Sequence, residues 1–206
     1  MTLIVDYKMG NLGSIKNMLR KIGEDVEITS DPIRVARAER LILPGVGRFD
    51  RAMENLRQLE LRPALEAAVF GRLVPTLGIC LGMQLMTRRS EEGDVEGLSW
   101  MPGDVKRFRF PSDEKLTVPH MGWNDLKVKN DSPLFRGLEG DSRFYFVHSY
   151  YVSIDDPAQI SAETEYGHSF VSAFRRGNLQ GVQFHPEKSH RFGQALLRNF
   201  IGGAPR

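Results

Sequence analysis

The chain has a single cysteine in 206 residues. It cannot form an internal disulfide, and a reducing compartment is expected. Charge of either sign is not in excess, since 28 basic and 26 acidic residues leave a net charge of +2. That balance gives no electrostatic case for nucleic acid or an anionic membrane as a partner. Short basic pairs such as Arg175-Arg176 are expected to be solvated. No apolar run approaches membrane-spanning length. The amino-terminal Met-Thr-Leu-Ile-Val-Asp-Tyr turns acidic too early for a secretory leader. Internal repeats, low-complexity tracts and long linkers are also lacking, so one domain over residues 1–206 and a cytoplasmic location are expected.

The first half alternates strand and helix patterns. Leu3 to Tyr7, Val26 to Thr29, Arg40 to Leu43 and Val74 to Ile79 read as strands. Between them, Leu12, Ile15, Leu19 and Ile22 share one helical face, with Gly23 as the stop. Asp31-Pro32 offers an N-cap and a first-turn proline. Further helices are expected over Arg51 to Leu59, Ala64 to Phe70 and Leu81 to about Arg89. This alternation predicts an α/β fold with an open, mostly parallel sheet flanked by helices, whose ligands bind at the carboxyl ends of the strands. After about Gly97 the pattern becomes strand-rich. Val105 to Phe110, Trp123 to Val128, Arg143 to Ser153, Gln159 to Thr164, Ser169 to Arg175 and Leu179 to Phe184 predict a mixed or antiparallel extension. A last amphipathic helix is expected from Arg191 to Ile201, followed by a short tail, Gly202 to Arg206.

Three segments carry chemistry. Gly78-Ile-Cys-Leu-Gly82 lies between a strand and a helix, the pattern of a nucleophile elbow in which two glycines leave room for a sharp turn. Leu81 N–H, at the helix start, is then free to face an oxyanion. A lone cysteine after an apolar strand also fits a buried packing residue. A cysteine nucleophile needs a base, because a thiol of pKa about 8.5 is only partly ionised at neutral pH. His185-Pro-Glu187 supplies one candidate. Pro186 favours an extended backbone before it, which puts His185 and Glu187 on one side, so that the carboxylate orients the imidazole. The third segment, Pro44-Gly-Val-Gly47, fits a turn that needs positive φ, and equally a second backbone donor to an oxyanion. His120 and His148 lie in aromatic-rich segments and fit hydrogen-bonded structural histidines; His168 and His190 fit solvated positions. No histidine or cysteine spacing matches a metal site, and neither metal nor cofactor is expected.

With these segments in one chain, the sequence resembles the class I, triad-type glutamine amidotransferases. Asp6-Tyr-Lys-Met-Gly-Asn-Leu-Gly-Ser14, Ser90-Glu-Glu-Gly93, Pro119-His-Met-Gly-Trp-Asn124, Phe144-Tyr-Phe-Val-His-Ser-Tyr150 and Gln183-Phe-His-Pro-Glu-Lys-Ser189 narrow the resemblance to the glutaminase subunits of imidazole glycerol phosphate synthases. It runs from residue 6 to residue 189. It implies that Cys80 attacks the glutamine amide, His185 moves the proton and Glu187 orients His185. It also implies oxyanion amides at Gly47 and Leu81, and glutamine contacts at Gly47, Gln84, Glu92, Ser149 and Tyr150. Gln84, four residues after Cys80, reaches the same side on helical spacing alone.

The same resemblance implies a heterodimer with a cyclase subunit of (β/α)8-barrel fold that takes the ammonia. The barrel uses it to make imidazole glycerol phosphate and an aminoimidazole carboxamide ribotide in histidine biosynthesis. Asn11, Pro119, His120, Met121, Gly122, Trp123, Asn124 and Lys188 are the residues expected at that contact. Two other readings of the elbow stay open at this point: a cysteine hydrolase of another amide or ester, and a catalytically silent scaffold on the same fold. The glutamine-pocket segments weigh against the first, and the intact Cys80, His185 and Glu187 set against the second.

Overall fold

A computed structural model describes residues 1–111, 115–129, 132–138, 140 and 142–202. The end of the tail, residues 203–206, lies outside them. Strands and helices alternate through the first half: β1 (Thr2–Val5), α1 (Leu12–Lys21), β2 (Val26–Thr29), α2 (Pro32–Ala36), β3 (Arg40–Leu43), α3 (Phe49–Gln58), α4 (Leu61–Glu66), β4 (Thr76–Ile79) and α5 (Leu81–Leu85). A π-helical turn, Ala67–Gly71, follows α4. Side chains cap the starts of both α1 and α2. Asn11 Oδ1 accepts from Ser14 N at 3.3 Å, and Asp31 Oδ1 accepts from Ile33 N at 2.9 Å with Pro32 at the first helical position.

The second half supplies β5 (Arg89–Ser90), β6 (Val95–Glu96), β7 (Gly103–Arg107), β8 (His120–Asp125), β9 (Lys127–Val128), β10 (Arg143–His148), β11 (Tyr150–Ile154), β12 (Ile160–Tyr166), β13 (His168–Arg176) and β14 (Leu179–Val182), then α6 (His190–Gly202). Among the described residues the main sheet runs β2-β1-β3-β4-β14-β13-β11-β7-β5-β6, with β12 and β9 branching from β13. The run from β2 to β14 is parallel. Beyond it the pairing is antiparallel except between β5 and β7. This is the parallel sheet with an antiparallel extension that the sequence predicts.

Side chains alternate across the sheet, as a strand's two-residue period requires. Leu3, Val5, Leu41 and Leu43 join one core with residues of α2, α3 and α4; Ile4, Ile42, Leu77 and Ile79 join the other with residues of α1 and α6. Both faces of the parallel strands are therefore buried, which is why they read as continuous apolar runs.

Three expectations need correction. The helix after Cys80 ends at Leu85, because the chain turns back through Arg88 and Arg89 into the β5–β6 hairpin and Leu98 N–H takes the Leu85 carbonyl. The strand expected from Arg143 to Ser153 is two strands in two sheets: among the described residues β10 pairs with β8 alone, while β11 joins the main sheet, and Ser149 is the junction. Trp123 to Val128 is likewise divided between β8 and β9.

Candidate active site

Strand order assembles the site. β3, β4 and β14 are neighbours and parallel, so their carboxyl ends lie side by side. Those ends lead into Pro44-Gly-Val-Gly47, into Cys80 and into Gln183-Phe-His185. Cys80 N–H donates to the Val182 carbonyl at 2.8 Å, which continues the β4–β14 ladder to Cys80 itself.

Cys80 has φ 52° and ψ −108°, a backbone state closed to most residues bearing a Cβ and costing on the order of 1–3 kcal/mol. Its neighbours make the turn possible. A Cβ on Gly78 would lie 2.7 Å from Met83 N, and one on Gly82 would lie 1.7 Å from the Leu43 carbonyl oxygen. Helix α5 thus sits directly on the end of β3, and Leu81 N–H, at the first helical position, has no intrahelical acceptor.

His185 Nδ1 is 2.7 Å from Glu187 Oε1, and both side chains are buried. The second Glu187 oxygen is also buried and makes no hydrogen bond among the described residues. Backbone contacts fix the histidine: His185 N donates to the Tyr145 carbonyl at 2.9 Å, and Ser189 Oγ donates to the His185 carbonyl at 2.7 Å. The His185 pKa is pushed up to about 10. Burial works against the charge, and the negative charges of Cys80 and Glu187 outweigh it. His185 Nε2 is buried and, among the described residues, free of other hydrogen bonds. It is the nitrogen left to serve the thiol.

Cys80 lines a cavity of about 230 Å³ with Val46, Gly47, Leu81, Gln84, Glu92, Pro119, Val147, His148, Ser149 and Tyr150. The expected glutamine residues, Gly47, Gln84, Glu92, Ser149 and Tyr150, all fall on its wall. Gly47 has φ 119°, available to glycine alone. Glu92 Oε2 accepts from Phe49 N at 2.8 Å, so its carboxylate also caps α3. Gln84 Nε2 donates to the Tyr150 carbonyl and to Gln183 Oε1, each at 3.0 Å. With both amide hydrogens engaged, what Gln84 can offer a ligand is its carbonyl oxygen, an acceptor.

Several residues of the site escape the sequence reading. Gln183 Nε2 donates to Cys80 Sγ at 3.5 Å and links the thiol to Gln84. Gln183 stands two residues before His185, but β14 ends at Val182 and the backbone bends at Gln183 and Phe184, so simple alternation does not announce its place. Tyr7, fully buried, donates its hydroxyl to the Pro44 carbonyl and pins the Pro44–Gly47 turn. Burial pushes its phenol well above the usual value, and the charge of Cys80 adds to the effect. Asn55 Nδ2 in turn holds the Tyr7 carbonyl at 3.0 Å. These two contacts span 37 and 48 residues, which no local pattern announces.

The expected partner-facing residues separate into two groups. On β8, Met121 and Trp123 point outward and are exposed, 61% and 45% respectively. Trp123 stacks on the His190 ring at 5.4 Å, and Lys188 Nζ lies 5.4 Å from the centre of the Tyr145 ring. Asn11 is exposed at the start of α1. His120 takes the opposite side of the strand and is 3% exposed, so it lies beneath the surface and not on it. Asn124 shares that side by strand alternation, and Pro119 lines the cavity. Among the described residues no group of three or more His, Cys, Asp or Glu is placed to hold a metal ion.

Fold and constellation together place a cysteine on a strand-to-helix elbow with a histidine–carboxylate pair beside it, an arrangement suited to a cysteine-dependent amide hydrolase. Residues 3–203 match the class I glutamine amidotransferase family. The HisH 2 subunit of imidazole glycerol phosphate synthase from Methanococcus maripaludis is 51% identical over 201 residues, 98% of each chain. HisH from Moorella thermoacetica is 50% identical, covering 96% of this chain and 92% of that one. HisH from Bdellovibrio bacteriovorus is 46% identical, with 97% and 98% covered. Among solved structures, a glutamine amidotransferase from Thermotoga maritima superposes with a TM-score of 0.64 at 18% identity, over 98% of this chain and 82% of that chain. At that identity the likeness is one of fold. The chain belongs to the class I glutamine amidotransferases, and within them to the HisH subunits of imidazole glycerol phosphate synthase.

Proposed function

We propose that this protein hydrolyses L-glutamine to L-glutamate and ammonia at Cys80 and delivers the ammonia to a cyclase partner, a (β/α)8 barrel. The barrel would use it to form imidazole glycerol phosphate and the carboxamide ribotide of histidine biosynthesis. One observation carries the reading. The cavity that holds Cys80 also holds Gly47, Leu81, Gln84, Glu92 and Tyr150, and His185–Glu187 closes on the same strand ends.

Cys80 Sγ, as a thiolate beside the His185 imidazolium, attacks the side-chain amide carbon of glutamine. The carbonyl oxygen becomes an oxyanion, for which Leu81 N–H and an N–H of the Val46-Gly47 turn are the donors at hand. His185 Nε2 gives its proton to the amide nitrogen, the C–N bond breaks, and ammonia leaves a glutamyl thioester. His185 then takes a proton from water, the hydroxide attacks the thioester carbon, and the C–S bond breaks to release glutamate. Glu187 keeps the imidazole oriented through both steps. The acceptors Glu92 and Gln84 Oε1 suit the α-ammonium and amide hydrogens of glutamine.

The exposed face of Met121, Trp123 and Lys188, with Asn11, is our candidate contact for the barrel, and Gly122 lies on the same strand. A reduced nucleophilic thiol fits a cytoplasmic location, and no helix among the described residues is long and apolar enough to cross a membrane.

The test is glutamate release by the isolated protein, with the cyclase partner, and with partner plus cyclase ligand. Low release in isolation and higher release in the complex are expected, since uncoupled release wastes ammonia. No release under any condition, from folded protein with an intact thiol, removes the reading. A high rate indifferent to the partner removes the coupling.

A further inference from the structure

A line of hydrogen bonds outside the triad ends at the cavity wall. Asn124 Nδ2 is 3.2 Å from His120 Nε2, His120 Nδ1 is 3.0 Å from His148 Nε2, and His148 Nδ1 is 2.8 Å from the Tyr150 carbonyl oxygen. The same carbonyl accepts from Gln84 Nε2, and Gln84 joins Gln183 and so Cys80 Sγ.

Chemistry fixes the direction of this line. A carbonyl only accepts, so His148 Nδ1 carries the proton. A neutral imidazole has one N–H, so His148 Nε2 accepts from His120 Nδ1. His120 Nε2 must then accept, and the Asn124 amide donates to it while also donating to the Glu165 carbonyl at 2.9 Å. Both rings are neutral because burial holds His148 down to about 3 and His120 down to about 4. His120 is stacked between Phe146 and Tyr166, with ring centres 4.8 and 4.0 Å away.

We propose that His120 and His148 are positioning residues of the glutamine site, forming with Asn124 a one-way relay that fixes the Tyr150 carbonyl and, through it, the Gln84–Gln183 amide pair beside Cys80. The proposal rests on reading the cavity as the glutamine site. It has a structural reason. Ser149 is where the chain leaves the separate two-stranded β8–β10 sheet for the main sheet, and Tyr150 is the first residue of β11. The junction is held from the β10 side by His148 and from the elbow side by Gln84. The strand that turns His120 and Asn124 inward turns Met121 and Trp123 outward.

The experiment compares His120→Phe with His120→Asn in the assembled complex, reading KM and kcat for glutamine. It also includes ¹⁵N NMR of histidine-labelled wild-type protein. Phe keeps the stack and loses the donor; Asn places an amide N–H near Nδ1 and loses the stack. We expect His120→Phe to raise KM about five- to tenfold, the loss of roughly one hydrogen bond, with a much smaller change in kcat. His120→Asn should stay within about twofold of wild type in KM. Both wild-type imidazoles should be Nδ1–H tautomers at neutral pH. Wild-type KM in His120→Phe, or a rise confined to His120→Asn, means that only the ring stack matters and overturns the relay. An Nε2–H tautomer at His148 in active wild-type protein overturns it too. Wild-type complex without glutamine hydrolysis instead sinks the functional reading, and this proposal with it.

Discussion

Gly82 stands so close to Leu43 that a single added methyl group would lie 1.7 Å from the Leu43 carbonyl oxygen. The contact seats α5 on the end of β3 and sets the height of Cys80 above the sheet. The neighbour is backbone, which cannot turn aside. Gly82→Ala is therefore expected to cost about 3 kcal/mol or more, at the upper end for an overpacked core site. Gly71→Ala, whose Cβ meets nothing within 4 Å, is the control, expected within about 1 kcal/mol of wild type. Urea unfolding of both decides the matter; similar midpoints would show that α5 lifts freely.

Cys80→Ala should abolish glutamine-dependent synthesis by the complex and leave ammonia-dependent synthesis intact. The measurement is product formation with glutamine or with an ammonium salt as nitrogen source. Loss of both activities would mean that Cys80 serves folding or assembly.

His185 carries a pH signature. Its folded pKa, about 10, stands above the ordinary histidine value. The stability gained by protonating it is therefore fully present below about 6.5 and fades as pH rises through about 10. Glu187→Gln removes one of the two charges that raise it, so the His185 midpoint should fall and the window of added stability should narrow from its alkaline side. NMR titration of the imidazole in both proteins is the check; equal midpoints would deny Glu187 its role.

Gln183 is predicted to tune the thiol. Gln183→Glu keeps an acceptor for Gln84 Nε2 but removes the donor 3.5 Å from Cys80 Sγ and adds negative charge beside the sulfur. Alkylation of Cys80 by iodoacetamide should slow about tenfold, equivalent to about 1.4 kcal/mol and near the low end for a hydrogen bond to a charged group. Circular dichroism run alongside confirms that the variant is folded. An unchanged alkylation rate would leave Gln183 a packing residue.

His120 and His148 act on stability in the opposite sense to His185. Burial holds both below the ordinary value of 6.5, so as pH falls the unfolded chain takes up protons before the folded one does. Stability is present above about 6.5 and is lost between there and the folded values of about 4 and 3. His120→Phe, with one fewer histidine to charge, should show a shallower loss between pH 7 and 4.5 in urea titrations. A slope as steep as wild type would mean that other groups govern acid unfolding.

Much of this molecule is legible in its residues. The parallel half of the sheet follows from Leu3–Val5, Leu41–Leu43 and Leu77–Ile79, because strands buried on both faces must be apolar throughout. The cap at Asp31 and the elbow glycines are local features, while His185 and Glu187 meet through a 3-10 turn over Pro186–Lys188 and not along the extended chain expected. The backbone states that the cap and the elbow require are readable from neighbouring residue types. Less was legible in the second half, where strand patterns could be seen but their partners could not. Arg143 to Ser153 reads as one strand and is two, since periodicity reports which side a residue faces and not which sheet it joins.

Cys80 shows the same division. Sequence alone indicated its turn, because flanking glycines at 78 and 82 are what a sharp strand-to-helix elbow demands. Tertiary structure decided its company. Gln183 at the thiol, Tyr7 under Pro44 and the His120–His148 line to Tyr150 join segments 103, 37 and 28 residues apart. Contacts at such separations are made by the order of strands in a sheet, and no short stretch of sequence encodes that order by itself.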